Sequence, residues 1–306
     1  MEEQAFRASV VGASEVAALF DASPFLTRFE LWHRKKGNVA TPEFDAVGDD
    51  GTPENERTWW GVRLEPAIIA AAKERFGYID REQVEHLTNG AGLGGHPDRL
   101  VICPTRGPGI LEIKMVDWLI RKSWGDEPPL NYLLQSQTYQ GLDGVEWGDV
   151  IVLVGGNKLE RFQYEFRPKI YREIACRVSE FWRSIEAGEP PLANYSRDLE
   201  TLKELNRVQG TETVDLVGDN RAAIAAAEYL SAAAQEREAK ARKDAAQAEL
   251  VEKLGTAALG FADGFQIKST LVKAIPDREA EAGEIIRGRK SYRRISIKER
   301  TDGVPA

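Results

Sequence analysis

The chain is poor in the residues that announce several common protein classes. Its 306 residues include two cysteines, Cys103 and Cys176, too few and too far apart for a disulfide framework, which points to a reducing cytoplasm. Three histidines, none at ligand spacing, argue against a zinc enzyme. No apolar run reaches the length of a membrane span. The opening MEEQAFRASV lacks the basic and apolar regions of a signal peptide. No repeat of solenoid length is visible. The net charge of −8 speaks against a broadly basic nucleic-acid coat, while leaving room for positive charge confined to a channel. What remains, 42% hydrophobic and 29% charged, is ordinary for a soluble globular protein of one large domain with an appendage, or of two domains.

Against this background one stretch stands out: Gly94 to Met115, GGHPDRLVICPTRGPGILEIKM. Its second half alternates with the period of a β-strand, setting Leu111, Ile113 and Met115 on one face and Ile110, Glu112 and Lys114 on the other. Asp98 precedes a short apolar run, and a Pro/Gly cluster follows it. A hairpin with its tip near Thr105 would bring Asp98 opposite Glu112. Two carboxylates and a lysine converging on one point suit Mg²⁺-dependent phosphodiester hydrolysis. The acids hold a hard cation, the cation acidifies a water, and the lysine orients that water or steadies the developing anion. The competing reading is a solvated Glu–Lys pair on the outer face of a strand.

The flanking chain reads as helices around a central sheet, an α/β layout. Ser14 is expected to cap a helix through Val16, Leu19 and Phe20, which also makes a helix start near Arg7 an anion site. Gly37 to Asn55 reads as a loop. A helix opens at Trp59 to Pro66 and runs to Phe76, with Glu65 in its first turn, suited either to the helix dipole or to a metal. Trp118 to Pro129 reads as a loop. Leu130 to Tyr139 reads as a helix whose Tyr132, Gln135 and Tyr139 share a face. Strands are expected at Val150–Val154 and Phe162–Phe166, and a helix over Tyr171–Ile185. Residues 1–194 would form the main domain and 195–218 a polar linker. Residues 219–306 would form an appendage: a long helical tract, bent near Ser231 if it is a pair, capped by Gly255, then strands at Phe265–Val272 and Tyr292–Lys298.

Taken in order, Arg7…Gly-Ala-Ser14-Glu15, Trp60-Gly-Val-Arg-Leu-Glu65, His96-Pro97-Asp98-Arg-Leu100, Leu111-Glu112-Ile-Lys114 and Tyr132-Leu-Leu-Gln135-Ser-Gln137 resemble the YqaJ-like viral recombinase family. These are relatives of lambda exonuclease within the PD-(D/E)xK nuclease superfamily. The resemblance covers roughly residues 5–190. It implies a PD-(D/E)xK core, a mixed sheet flanked by helices, with a C-terminal helical and β-hairpin appendage. It further implies an exonuclease that digests duplex DNA ends 5′→3′, leaving 3′ overhangs for a single-strand annealing partner. By resemblance Asp98 and Glu112 are metal carboxylates, the Ile113 carbonyl a further ligand, Lys114 the water-positioning lysine, and Glu65 and Gln135 the flanking acid and glutamine. Mg²⁺ is implied, two ions per site, with Mn²⁺ expected to substitute. Arg7 and Ser14 match the positions that hold a terminal 5′-phosphate. A homo-oligomeric ring is implied as well. The four-cysteine iron–sulfur signature of some relatives is missing, and the appendage has no counterpart among the family motifs. Two other readings stay open: an endonuclease of the same superfamily in restriction or repair, and a DNA-end-binding adaptor with secondary catalysis.

Overall fold

The computed structural model describes residues 2–41, 53, 55–208, 211–274, 278–279, 285–286 and 292–299. Most of the expected loop over Gly37–Asn55 therefore lies outside the described residues. In chain order the first unit contains α1 (Glu2–Ser9), β1 (Val11–Gly12), a 3-10 turn (Val16–Phe20), α2 (Arg28–Lys35), α3 (Glu56–Phe76), β2 (Ile79–Asp80), β3 (Leu87–Thr88), β4 (Leu93–Gly95), β5 (Arg99–Cys103), β6 (Gly107–Val116), α4 (Trp118–Ser123), α5 (Leu130–Asp143), β7 (Trp147–Val154), β8 (Lys158–Glu165), α6 (Pro168–Ala187) and α7 (Leu199–Leu205). The second contains α8 (Asn220–Leu254), β9 (Leu259–Ala262), β10 (Phe265–Val272), β11 (Arg278–Glu279), β12 (Ile285–Ile286) and β13 (Tyr292–Glu299).

The first unit is built around β6. A mixed five-stranded sheet runs β2-β5-β6-β7-β8, with β6 and β7 parallel and the other pairs antiparallel. The expected β5–β6 hairpin is present, its turn closed by the Arg106 N–H donating to the Cys103 carbonyl at 3.2 Å. Alternation along β6 divides the core. Leu111 and Ile113 pack with Ile68, Ile69 and Ala72 of α3 and with Trp147 and Ile151, whereas Ile110 packs with Leu100, Tyr139 and Val145. One helix thus covers each face, and the mixed α/β core matches the expected fold.

Helix α5 is buried over its middle, Leu134 through Gln140, although most of those residues are polar. Most of their groups find partners inside, Gln140 Oε1 being the exception: Gln137 donates from Nε2 to the Glu165 carbonyl at 2.8 Å and accepts from the Arg167 N–H at 2.7 Å. Gly148, beneath α5, has a steric reason: a Cβ there would lie 2.8 Å from Gln140 Nε2 and from Ile110.

Several local expectations are corrected. Helix α3 begins nine residues before Glu65, capped by Asn55, and Pro66 sits within it, so Glu65 lies in mid-helix and not in a first turn. Pro66 is exposed, where a missing backbone bond is cheaper to tolerate. Residues 118–123 of the expected loop form α4, because Asp117 accepts from the Ile120 N–H at 2.9 Å and starts a helix. Ser14 caps nothing: the residue at the N-cap of the 3-10 turn is Glu15, which makes no side-chain cap bond.

The compact units divide at Gln209/Gly210, inside the stretch expected as a linker. Its first part belongs to the first unit. Asp198, fully buried, accepts from Thr27 Oγ1 and from the Asn194 N–H, both at 2.6 Å, and Arg197 donates to the Ser23 carbonyl at 2.8 Å. In the second unit α8 is one continuous helix through Ser231, its first turn capped by Asp219. Strand β10 pairs antiparallel with both β9 and β13.

Candidate active site

Four of the expected residues meet at one end of the central sheet. Strand β5 starts at Arg99, paired with Leu111, so Asp98 stands one step beyond the ladder, level with Glu112. There its Oδ2 replaces a backbone acceptor and takes the Ile113 N–H at 2.6 Å. Glu112, with 0% of its surface exposed, receives Lys114 Nζ on Oε1, while Oε2 is buried without a hydrogen-bond partner. The Lys114 ammonium also lies 5.2 Å from the centre of the Tyr132 ring on α5.

Electrostatics tie Glu65 to the group. Burial and then the neighbouring Asp98 raise the Glu65 pKa to about 7, against the pull of Lys114. Burial first, then Asp98 and Glu65, push Glu112 up to about 8 despite the Lys114 ammonium. Asp98 is raised by burial, opposed by Lys114, by the Ile113 N–H and by its contact with the Glu112 carboxyl. Burial works against the Lys114 ammonium, yet Glu112 and Asp98 outweigh it and hold its pKa above the ordinary lysine value. Two carboxylates that cannot both ionise comfortably, beside one cation, carry a demand for more positive charge.

Gln135 is buried on α5 and hydrogen-bonds Tyr139, whose hydroxyl also meets the His96 backbone; burial keeps the Tyr139 pKa well above the ordinary tyrosine value. A Cβ at Gly95 would stand 3.0 Å from the Tyr139 ring, so the glycine before His96-Pro97-Asp98 admits that ring. Arg7 lies in the last turn of α1 and Ser14 in the turn after β1, both exposed. What orders this stretch is Lys35, absent from the sequence reading. Its Nζ donates to the Arg7 carbonyl and pairs with Glu15 Oε2, both at 2.7 Å, and Glu15 Oε2 also accepts from the Gly12 N–H at 2.8 Å.

Among the described residues no three His, Cys, Asp or Glu side chains are gathered closely enough to ligate one ion as they stand. The donors nevertheless suit a hard cation. All are oxygens, and Glu112 Oε2 is a buried acceptor that no protein donor satisfies. In protein alone the acids turn to the donors at hand, the Ile113 N–H and Lys114.

A second cluster escaped the sequence reading. On the α3 side of the sheet, buried Asp149 of β7 takes Arg106 through both oxygens, at 2.9 and 2.5 Å, together with the Tyr78 hydroxyl. The one signal in the sequence was an acid inside the apolar run Trp147–Val154.

The mixed α/β core thus carries a buried cluster of acids and a lysine on and beside its central strand β6. Residues 4–144 match the YqaJ-like viral recombinase domain. All the expected site residues fall within it; Asp149 does not. Among solved structures, the chain is similar to an alkaline exonuclease from Laribacter hongkongensis, at 23% identity over 66% of this chain and 100% of that one, with a TM-score of 0.48. The same enzyme in complex with dAMP gives 24% identity, 68% and 98% coverage, and a TM-score of 0.47. A phage-related exonuclease from Haemophilus somnus 129PT gives 13% identity, 58% and 96% coverage, and 0.38. No curated protein matches the chain.

Proposed function

We propose that the chain is a Mg²⁺-dependent exonuclease that trims one strand of duplex DNA from its 5′ end, leaving a 3′ overhang for a single-strand annealing protein. The observation that carries this reading is Glu112: sealed from solvent, raised in pKa, with one oxygen lacking a protein partner beside Asp98 and Lys114. The match of residues 4–144 to the YqaJ-like viral recombinase domain supports the DNA substrate.

Asp98 and Glu112 would hold the cation, joined by the Ile113 carbonyl and, from α3, by Glu65. Mn²⁺ would serve in place of Mg²⁺, and the acid count allows two ions. When bound, the cation neutralises charge on the scissile phosphate and lowers the pKa of the attacking water. Lys114 would orient the attacking water or steady the charge developing on the phosphate. Gln135 and Tyr132 line the α5 wall and position the phosphate. Arg7 and Ser14 would receive the terminal 5′-phosphate, on a stretch held in shape by Lys35. Assembly into a homo-oligomeric ring would keep the enzyme on its substrate.

The test is digestion of end-labelled linear duplex, with and without a 5′-phosphate, beside closed circular DNA. The expected result is Mg²⁺-dependent release of nucleotides from 5′-phosphorylated ends and an untouched circle. Cutting of the circle would replace this reading with an endonuclease. Full activity in excess EDTA would remove it.

A further inference from the structure

The C-terminal unit holds none of the expected site residues, yet its small sheet has two unlike faces. Along β10, Ile267 and Ser269 are buried whereas Lys268 and Thr270 are exposed. The buried side is covered by the end of α8: a Cβ on Gly260, the register partner of Ile267, would stand 2.6 Å from Leu254 Cδ2. The other side is open. Leu259, partner of Lys268, is 44% exposed, and Phe261, partner of Gln266, is 64% exposed.

Registered residues of an antiparallel pair share a face. Strand β13 pairs along the other edge of β10, with Tyr292, Arg294, Ser296 and Lys298 in register with Val272, Thr270, Lys268 and Gln266. Lys268 and Phe261 thus share the open face, and a basic strand, β13, runs alongside. The charge is concentrated: between Arg287 and Lys298 six Arg and Lys occur with no acid, in a chain whose net charge is −8. We propose that this face binds single-stranded DNA, independently of the nuclease site. Cations at strand spacing follow a phosphate backbone, and aromatic residues between them offer stacking surfaces for unpaired bases, whose faces a duplex hides.

The test is fluorescence anisotropy on the full chain in EDTA, where no digestion can occur, using labelled oligo-dT and a duplex of equal length. Because binding is read without turnover, a failed nuclease reading and a failed binding proposal give different results. Wild type should bind oligo-dT more tightly than duplex. Lys268→Glu and Phe261→Ala should each weaken oligo-dT binding about tenfold, within the range of one lost base stack or phosphate contact. Lys268→Gln, at an exposed position that threatens no core, should lower the slope of log affinity against log salt by about 0.7. Phe261→Tyr should restore binding. Unchanged oligo-dT affinity in Lys268→Gln and Lys268→Glu would overturn the proposal. So would displacement by polyglutamate as effective as by an oligonucleotide of equal charge, which would assign the face to an acidic polypeptide.

Discussion

Glu112 on β6 and Asp149 on the neighbouring β7 are both sealed from solvent, each with 0% exposure, and they are served very differently. Asp149 has a bidentate Arg106 and the Tyr78 hydroxyl, and the Arg106 guanidinium lies 3.7 Å over the Trp147 ring. Glu112 has Lys114 on one oxygen, no protein donor on the other, and Asp98 as a like-charged neighbour. A buried carboxylate that is fully paired holds structure together. One left short of partners contributes little to stability in protein alone and is poised to receive a cation.

The largest expected effect separates the two on activity. Glu112→Gln should lower Mg²⁺-dependent digestion of end-labelled duplex by about 10²–10⁴-fold, the scale of a lost acid–base or electrostatic group, without lowering the melting temperature in EDTA. The converse variant, Asp149→Asn, should cost about 3–5 kcal/mol in denaturant unfolding, since it breaks a buried pair and strands Arg106. Its turnover per folded molecule should be retained. Equal loss of rate from both variants would erase the distinction.

Lys114→Ala should follow, at about 10²-fold in rate. It should also raise the Glu112 and Asp98 pKa values further, because Lys114 opposes their elevation.

The pH dependence sharpens the contrast. The Glu112 pKa is raised to about 8 in the folded protein. The folded state therefore binds this proton more tightly than the unfolded chain. The resulting stability is fully present at low pH and is lost as pH rises from the ordinary glutamate range through 8. In EDTA the melting temperature should fall between pH 6 and pH 9 by this contribution, and Glu112→Gln should flatten that part of the profile.

Smaller effects test the periphery. A chain ending at Pro191 loses Asp198, the buried acceptor of Thr27 and Asn194. Thr27 also caps α2 through the Glu30 N–H. Such a chain should be about 1–3 kcal/mol less stable than one ending at Gln209, measured by urea unfolding. Ser14→Ala should change stability by less than about 0.5 kcal/mol, since Ser14 caps nothing.

The strand–turn–strand around Asp98 and Glu112 was legible because period-two alternation and a Pro/Gly turn are local signals. The shared face of Tyr132, Gln135 and Tyr139 was legible for the same reason. What the sequence hid depends on distant partners. Asp149 is meaningless without Arg106 and Tyr78, Asp198 without Thr27, and Lys35 without Glu15 and the Arg7 carbonyl. Local rules also failed where they competed. A serine before an apolar run looks like a cap, but Glu15 is drawn to Lys35 and the Gly12 N–H, and the run closes as a short 3-10 turn. A tract with serine at its middle looks divisible, yet its alanines carry α8 through unbroken.

Calorimetric titration of Mg²⁺ into metal-free protein at pH 7, in two buffers of different ionisation enthalpy, tests the central claim most directly. Wild type and Asp149→Asn should bind the cation with release of protons, because the raised carboxylates must ionise to accept it, whereas Glu112→Gln should show no such binding. Undiminished Mg²⁺ binding by Glu112→Gln, or its loss from a folded Asp149→Asn protein, would contradict it.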